Sequence, residues 1–244
     1  MIDTIMFDLD GTLVRFNQDE FLNTYFNELR KVFLNLGLDA DAAVKGVWVG
    51  TKAMVLNDGS VPNVQRFWNA FSEYMNIDGE QLKDVEAACD NFYSNEFNIA
   101  KKVVKQSDVP KRIVRTMAER GYFIVLATNP YFPPCAVDSR LAWIGLDKQD
   151  FTLVTHYENS SYCKPNPDYY HQVLSKISKV PEQCIMIGNN PAEDMCASEL
   201  GMEVFLVTDF IENEAGVDIT PYRRGTIEEL EAFLLSLPII NNRK

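Results

Sequence analysis

Apolar positions recur along this chain in two rhythms. The N-terminus opens with a short apolar run, Ile5-Met6-Phe7, which reads as the end of a buried strand. Asp8-Leu9-Asp10 follows at once, and Gly11 permits the sharp turn that ends such a strand. The rhythm then becomes helical. Over residues 16–37, Phe21, Leu22, Tyr25, Phe26, Leu29, Val32, Phe33 and Leu36 recur at spacings of three and four, one face of an amphipathic helix that stops at Gly37. Residues 40–56 predict a second helix, closed by the turn Asn57-Asp58-Gly59. Val64, Phe67, Trp68, Phe71, Tyr74 and Met75 mark a third, and residues 82–97 a fourth. Helices with no strand between them form a block of their own over residues 15–105, whose aromatics read as its core.

Beyond this block strands and helices alternate. Helices are expected at 111–120, 134–144, 167–178, 192–200 and 227–237, and strands at 122–127, 151–155, 184–187 and 204–207. The strands are continuous apolar runs such as Tyr122-Phe123-Ile124-Val125-Leu126-Ala127, the pattern of parallel strands buried on both faces. This predicts an α/β fold: a Rossmann-like parallel sheet with right-handed crossovers and helices on both faces. The opening strand joins that sheet, so the core comprises residues 1–14 and 106–244, with the helical block inserted as a cap. The polar tail 241–244 is expected to fray.

Composition narrows the function. The chain of 244 residues is 46% hydrophobic, enough for a sizeable core. A formal net charge of −12 excludes nonspecific nucleic-acid binding and docking on anionic membranes. No run of about 18 apolar residues predicts a membrane span. The first residues lack the pattern of a signal peptide. Five scattered cysteines, with no C-x-x-C pair, fit a reducing cytoplasm. Oligomeric state is not legible.

The strand ends carry the candidate chemistry. Asp8 and Asp10, two apart on a strand, project together, at the end of an open α/β sheet where ligands bind. Carboxylates beside a core strand need a cation or a metal. Thr128-Asn129-Pro130 ends the next strand, where a hydroxyl and backbone N–H groups can hold an anionic oxygen. Lys164, fixed before Pro165, can neutralise phosphate charge. Gly188-Asn189-Asn190-Pro191-Ala192-Glu193-Asp194 offers oxygen ligands for a hard cation such as Mg²⁺.

In this order, Asp-x-Asp-Gly-Thr, Thr-Asn, Lys-Pro and Gly followed by an Asp, the motifs resemble those of the haloacid dehalogenase superfamily. The resemblance is to its phosphatase branch with a helical cap after the first motif, and it spans essentially the whole chain. It implies that Asp8 is the nucleophile forming an aspartyl-phosphate and that Asp10 is the general acid and base. Thr128, Asn129 and Lys164 would bind phosphate, and Asp8, Asp10, Asn190 and Asp194 would hold Mg²⁺. Asp10 argues for phosphate rather than halide chemistry, and the expected substrate is a small phosphorylated metabolite. A sugar-phosphate mutase keeps both acids and is the nearest rival. One departure stands out. Where relatives carry an acid just after the glycine, this chain has Asn189 and Asn190, which lowers the expected Mg²⁺ affinity and leaves open a weakened binding or regulatory protein. Trp48, Lys52 and Arg66 are the candidate substrate contacts in the cap.

Overall fold

The computed structural model describes residues 1–240; the tail 241–244, expected to fray, lies outside them. Six parallel strands form one sheet in the order β3-β2-β1-β4-β5-β6. They are β1 (Thr4–Phe7), β2 (Phe123–Leu126), β3 (Leu153–Val154), β4 (Cys184–Gly188), β5 (Glu203–Val207) and β6 (Arg224–Gly225). Four helices separate β1 from the rest: α1 (Gln18–Asn35), α2 (Ala40–Val55), α3 (Asn63–Met75) and α4 (Gly79–Ser94). A 3₁₀ segment, Glu96–Val103, leads back to the sheet through α5 (Val109–Glu119). The remaining helices are α6 (Pro134–Trp143), α7 (Pro167–Ile177) and α8 (Ile227–Ser236).

Alternation along the strands divides the interior in two. Ile5, Phe7, Ile124, Leu126, Ile185 and Ile187 face a core completed by α5, α6, α8 and the helical block. Met6, Val125, Ala127, Cys184 and Met186 point the other way, against Tyr169, Tyr170, Val173 and Leu174 of α7. Burial on both faces is why these strands read as unbroken apolar runs. In the helical block, Asn17 caps α1 by accepting from Glu20 N–H at 3.2 Å, and Phe21, Tyr25, Leu29 and Phe33 bury one stripe of it. The chain leaves the core and returns to it side by side: Lys105 N–H donates to Arg15 C=O at 2.7 Å.

Three expected elements change, and one strand is unannounced. The strand expected at 151–155 is reduced to Leu153–Val154 in register with β2, held by the N–H groups of Thr152 and Thr155 on Ile124 and Leu126 C=O at 2.7 and 3.0 Å. The helix expected at 82–97 starts at Gly79, ends at Ser94 and hands over to a separate 3₁₀ segment. The helix expected at 192–200 is a turn followed by 3₁₀ residues Met195–Leu200, because side chains of Asn190 and Asp194 hold its first turn. β6 has no apolar run to announce it; it joins Leu206 and Val207 through the backbone alone. All five cysteines are free thiols, and no helix of the described residues is long and apolar enough to cross a membrane.

Candidate active site

Strand register assembles the site. Phe7 pairs with Leu126 on one side and Ile187 on the other, so the residues following three central strands emerge together. The reversal of strand order lies between β1 and β4, where open α/β sheets bind ligands. Asp8 is locked there by its N–H, which donates to Ile187 C=O at 2.8 Å. Gly11, with φ of +76°, turns the chain under Asn189; a Cβ at Gly11 would lie 2.1 Å from Asn189 Nδ2.

Two cations divide the carboxylates. Lys164 Nζ, fully buried, donates to Asp8 Oδ1 at 2.9 Å and to Asp194 Oδ1 at 2.6 Å. Arg140, buried on α6, holds Asp10 through Nη1 while its Nε donates to Ala136 C=O at 3.1 Å. Its guanidinium also lies 4.2 Å from the centroid of the Phe132 ring. Burial pushes the Asp8 carboxyl up, and Lys164 pulls against it. Burial likewise raises Asp10, with Arg140 opposing. Lys164 stays charged: burial works against its ammonium, but Asp194 and Asp8 raise it well above the ordinary lysine value.

Thr128 and Asn129 line the same cavity as the two acids. The Asn129 side chain is also a tie. Its Oδ1 accepts Lys164 N–H at 3.2 Å, and its Nδ2 donates to Glu193 Oε2 at 2.9 Å. The asparagines after Gly188 have separate tasks. Asn189 accepts from the Thr12 hydroxyl at 3.0 Å and donates to Phe210 C=O at 2.7 Å. Asn190 Oδ1 accepts the N–H groups of Ala192 and Glu193 at 3.1 and 3.2 Å, so in this arrangement it serves the turn. Asp194 Oδ2 accepts Asn190 N–H at 3.0 Å. Gly188 makes room for that carboxylate: a Cβ there would sit 2.0 Å from Asp194 Oδ2. Gly188→Ala is therefore expected to push Asp194 off Lys164 and lower kcat about 10²-fold in a folded protein; kinetics with circular dichroism check this.

Among the described residues no three His, Cys, Asp or Glu side chains converge as a ready-made metal cage. The donor set still suits Mg²⁺, which takes one or two carboxylates and keeps much of its water. Asp8 Oδ2 has only a 3.4 Å contact from the Thr12 hydroxyl, and Asp10 Oδ1 is buried with no partner. The free Asp8 oxygen in an acidic cleft calls for a cation, and the Asp10 oxygen for a proton or a cation.

The cavity, about 190 Å³, runs from Asp8 and Asp10 into the helical block. Of the three candidate contacts there, Trp48 lines it and is half-exposed; Lys52 and Arg66 do not line it. Arg66 instead holds the turn after α2 through Asn57, Asp58 and Ser60. Sequence reasoning missed Arg140 and Glu212, and named Glu193 only within the stretch 188–194. Arg140 had left a trace: it shares the buried face of α6 with Ala136, Val137 and Trp143, where a lone charge needs a partner. Glu212 lines the cavity, and burial and the neighbouring acids raise its carboxyl to about 7.

Comparison with known proteins matches this arrangement. The model of haloacid dehalogenase-like hydrolases covers residues 2–199. The chain is 25% identical over 201 residues to phosphoglycolate phosphatase of Colwellia psychrerythraea, spanning 82% of each chain. To pyrophosphatase PpaX of Bacillus mycoides it is 21% identical over 207 residues, 85% of this chain and 84% of that one. The solved HAD phosphatase of Thermococcus onnurineus superposes with a TM-score of 0.61 at 16% identity, covering 98% of this chain and 100% of its own. With its strand order, its paired acids after β1 and the lysine beneath them, the chain belongs to the haloacid dehalogenase-like hydrolase family.

Proposed function

We propose that this protein is a Mg²⁺-dependent phosphatase hydrolysing a small phosphomonoester through an aspartyl-phosphate on Asp8. The helical block over residues 15–105 acts as its cap. One observation carries the reading: two acids at the end of β1 line one cavity and have different cationic partners, Lys164 for Asp8 and Arg140 for Asp10. Environments that separate two carboxylates separate their roles.

Lys164 takes Oδ1 of Asp8 and leaves Oδ2 to attack phosphorus. As the bond from phosphorus to the alcohol oxygen breaks, Asp10 gives its proton to that oxygen. Burial, which raises Asp10, equips it to carry that proton. Water then attacks the phosphoryl group, Asp10 takes the water's proton, and phosphate leaves with Asp8 restored. Thr128 and the backbone after β2 receive phosphoryl oxygens, with Lys164 below. The Asp8 carboxylate and the backbone carbonyl of Asp10 would hold the Mg²⁺, which would offset repulsion between the carboxylates and phosphate. Asp194 backs them by fixing Lys164, and Asn190 anchors the turn that carries Asp194.

The test is phosphate release from a panel of phosphorylated metabolites with Mg²⁺ present. No turnover by the wild type rejects the proposal. Asn190 gives a second check. Asn190→Asp keeps both acceptor positions for Ala192 and Glu193 and adds a negative charge beside Asp194. It is expected to lower the Mg²⁺ needed for half-maximal activity by roughly tenfold. An unchanged Mg²⁺ titration rejects a role for charge at this position.

A further inference from the structure

We propose that the cap cavity selects phosphomonoesters of uncharged alcohols that carry a flat ring, and rejects those with a second anionic group. The inference rests on the hydrolase reading above and narrows its substrate.

The walls above the catalytic floor are aromatic. Tyr25, Phe26, Trp48, Trp68, Tyr93 and Phe132 face the cavity from α1, α2, α3, α4 and the loop after β2. Successive rings lie close: Tyr25 to Phe26 at 4.6 Å and Phe26 to Trp48 at 5.3 Å between centroids. Ring faces at such spacing favour another ring. The polar atoms between these rings are neutral. Tyr25 and Tyr93 share a hydrogen bond of 2.7 Å between hydroxyls, and burial raises both phenols, so neither ionises near neutrality. Gln18 Oε1 is buried without a partner among the described residues and lines the cavity, an acceptor for a hydroxyl or N–H of the leaving alcohol.

Charge decides the rest. Among the described residues the lining includes Asp90, Glu193 and Glu212 besides the catalytic acids, and no lysine, arginine or histidine. The cations at the catalytic floor, Lys164 and Arg140, are committed to Asp8, Asp194 and Asp10. A carboxylate or second phosphate on the leaving group would enter this cavity without a counter-charge, facing acids on its walls. The substrates named by the two relatives, phosphoglycolate and pyrophosphate, both carry such a group.

Three probes separate this inference from the reading beneath it. Acetyl phosphate is small enough to report the catalytic floor alone. Phenyl phosphate and 4-carboxyphenyl phosphate differ by one carboxylate, which makes the second intrinsically the more reactive. The expected result is hydrolysis of acetyl phosphate, with kcat/KM for phenyl phosphate at least about tenfold above that for 4-carboxyphenyl phosphate. Trp48 is half-exposed, so its replacement spares the fold. Trp48→Ala should lower the phenyl-to-acetyl ratio of kcat/KM about fivefold, and Trp48→Phe should largely restore it. Equal rates on the two aryl phosphates, or a ratio that Trp48→Ala leaves unchanged, overturn the inference while the hydrolase stands. Failure to hydrolyse any of the three probes overturns both.

Discussion

Asp8→Asn lowers phosphate release by about 10³-fold or more, because loss of a nucleophile removes the covalent route and not merely one contact. Fold and floor survive the change. The amide keeps an oxygen for Lys164 Nζ, which retains its 2.6 Å pair with Asp194. What disappears is the anionic Oδ2, the oxygen with no strong partner in the cleft. Two measurements check this. Steady-state phosphate release with Mg²⁺ reports the rate. Hydroxylamine, which traps acyl phosphates, should label the wild type during turnover and leave the variant unlabelled. Undiminished turnover by the variant would exclude Asp8 as the nucleophile.

Lys164→Met produces the largest expected loss of stability. The ammonium is fully buried and is shared by two carboxylates within 2.9 Å. Breaking a buried pair from one side costs about 3–5 kcal/mol, because the acids remain without compensation. For a chain of this length that lowers Tm by roughly 10 °C or more. The loss has a definite pH dependence. Burial already raises the Asp8 carboxyl, and without Lys164 that effect acts unopposed. A carboxyl whose folded pKa exceeds its unfolded value contributes stability at low pH and loses it as pH rises through the folded value. The deficit of the variant is therefore smallest at acid pH and grows toward neutrality. Thermal unfolding of both proteins at pH 4.5 and 7.5 tests it; an equal deficit at the two values rejects the account. Activity falls too, since Asp8 loses its restraint and phosphate loses a cation.

The parts legible in the sequence were those fixed by burial. Ile5-Met6-Phe7 and Ile185-Met186-Ile187 could be read as strands because both of their faces are covered. The alternation of these runs with helices gave the parallel order, and Gly11 marked the turn that aims Asp8 and Asp10. Less legible were features set by backbone pairing or by rotamer. Arg224–Gly225 becomes a strand only because β5 offers free backbone groups to it. Asn190 has the right atom for a metal ligand, but the amides of Ala192 and Glu193 reach its oxygen first. Asn129 was expected at the phosphate, and its side chain also spans from Lys164 to Glu193, a long-range link no local pattern could announce. Arg140 was hidden by its neighbours: within an apolar helix face it looked like an interruption, and its partner Asp10 lies 130 residues earlier.

A single backbone hydrogen bond, Lys105 N–H to Arg15 C=O, joins the points where the chain leaves the sheet and comes back. On the proposed division, everything between is topologically one long loop whose ends are already closed on the core. Lengthening or replacing such a loop changes the closure entropy only slowly. The scaffold can therefore keep its reaction and trade its substrate, provided that replacement helices restore the apolar face that completes the core beneath β1 and β2; the register that sets Asp8 between Ala127 and Gly188 is made by the strands themselves.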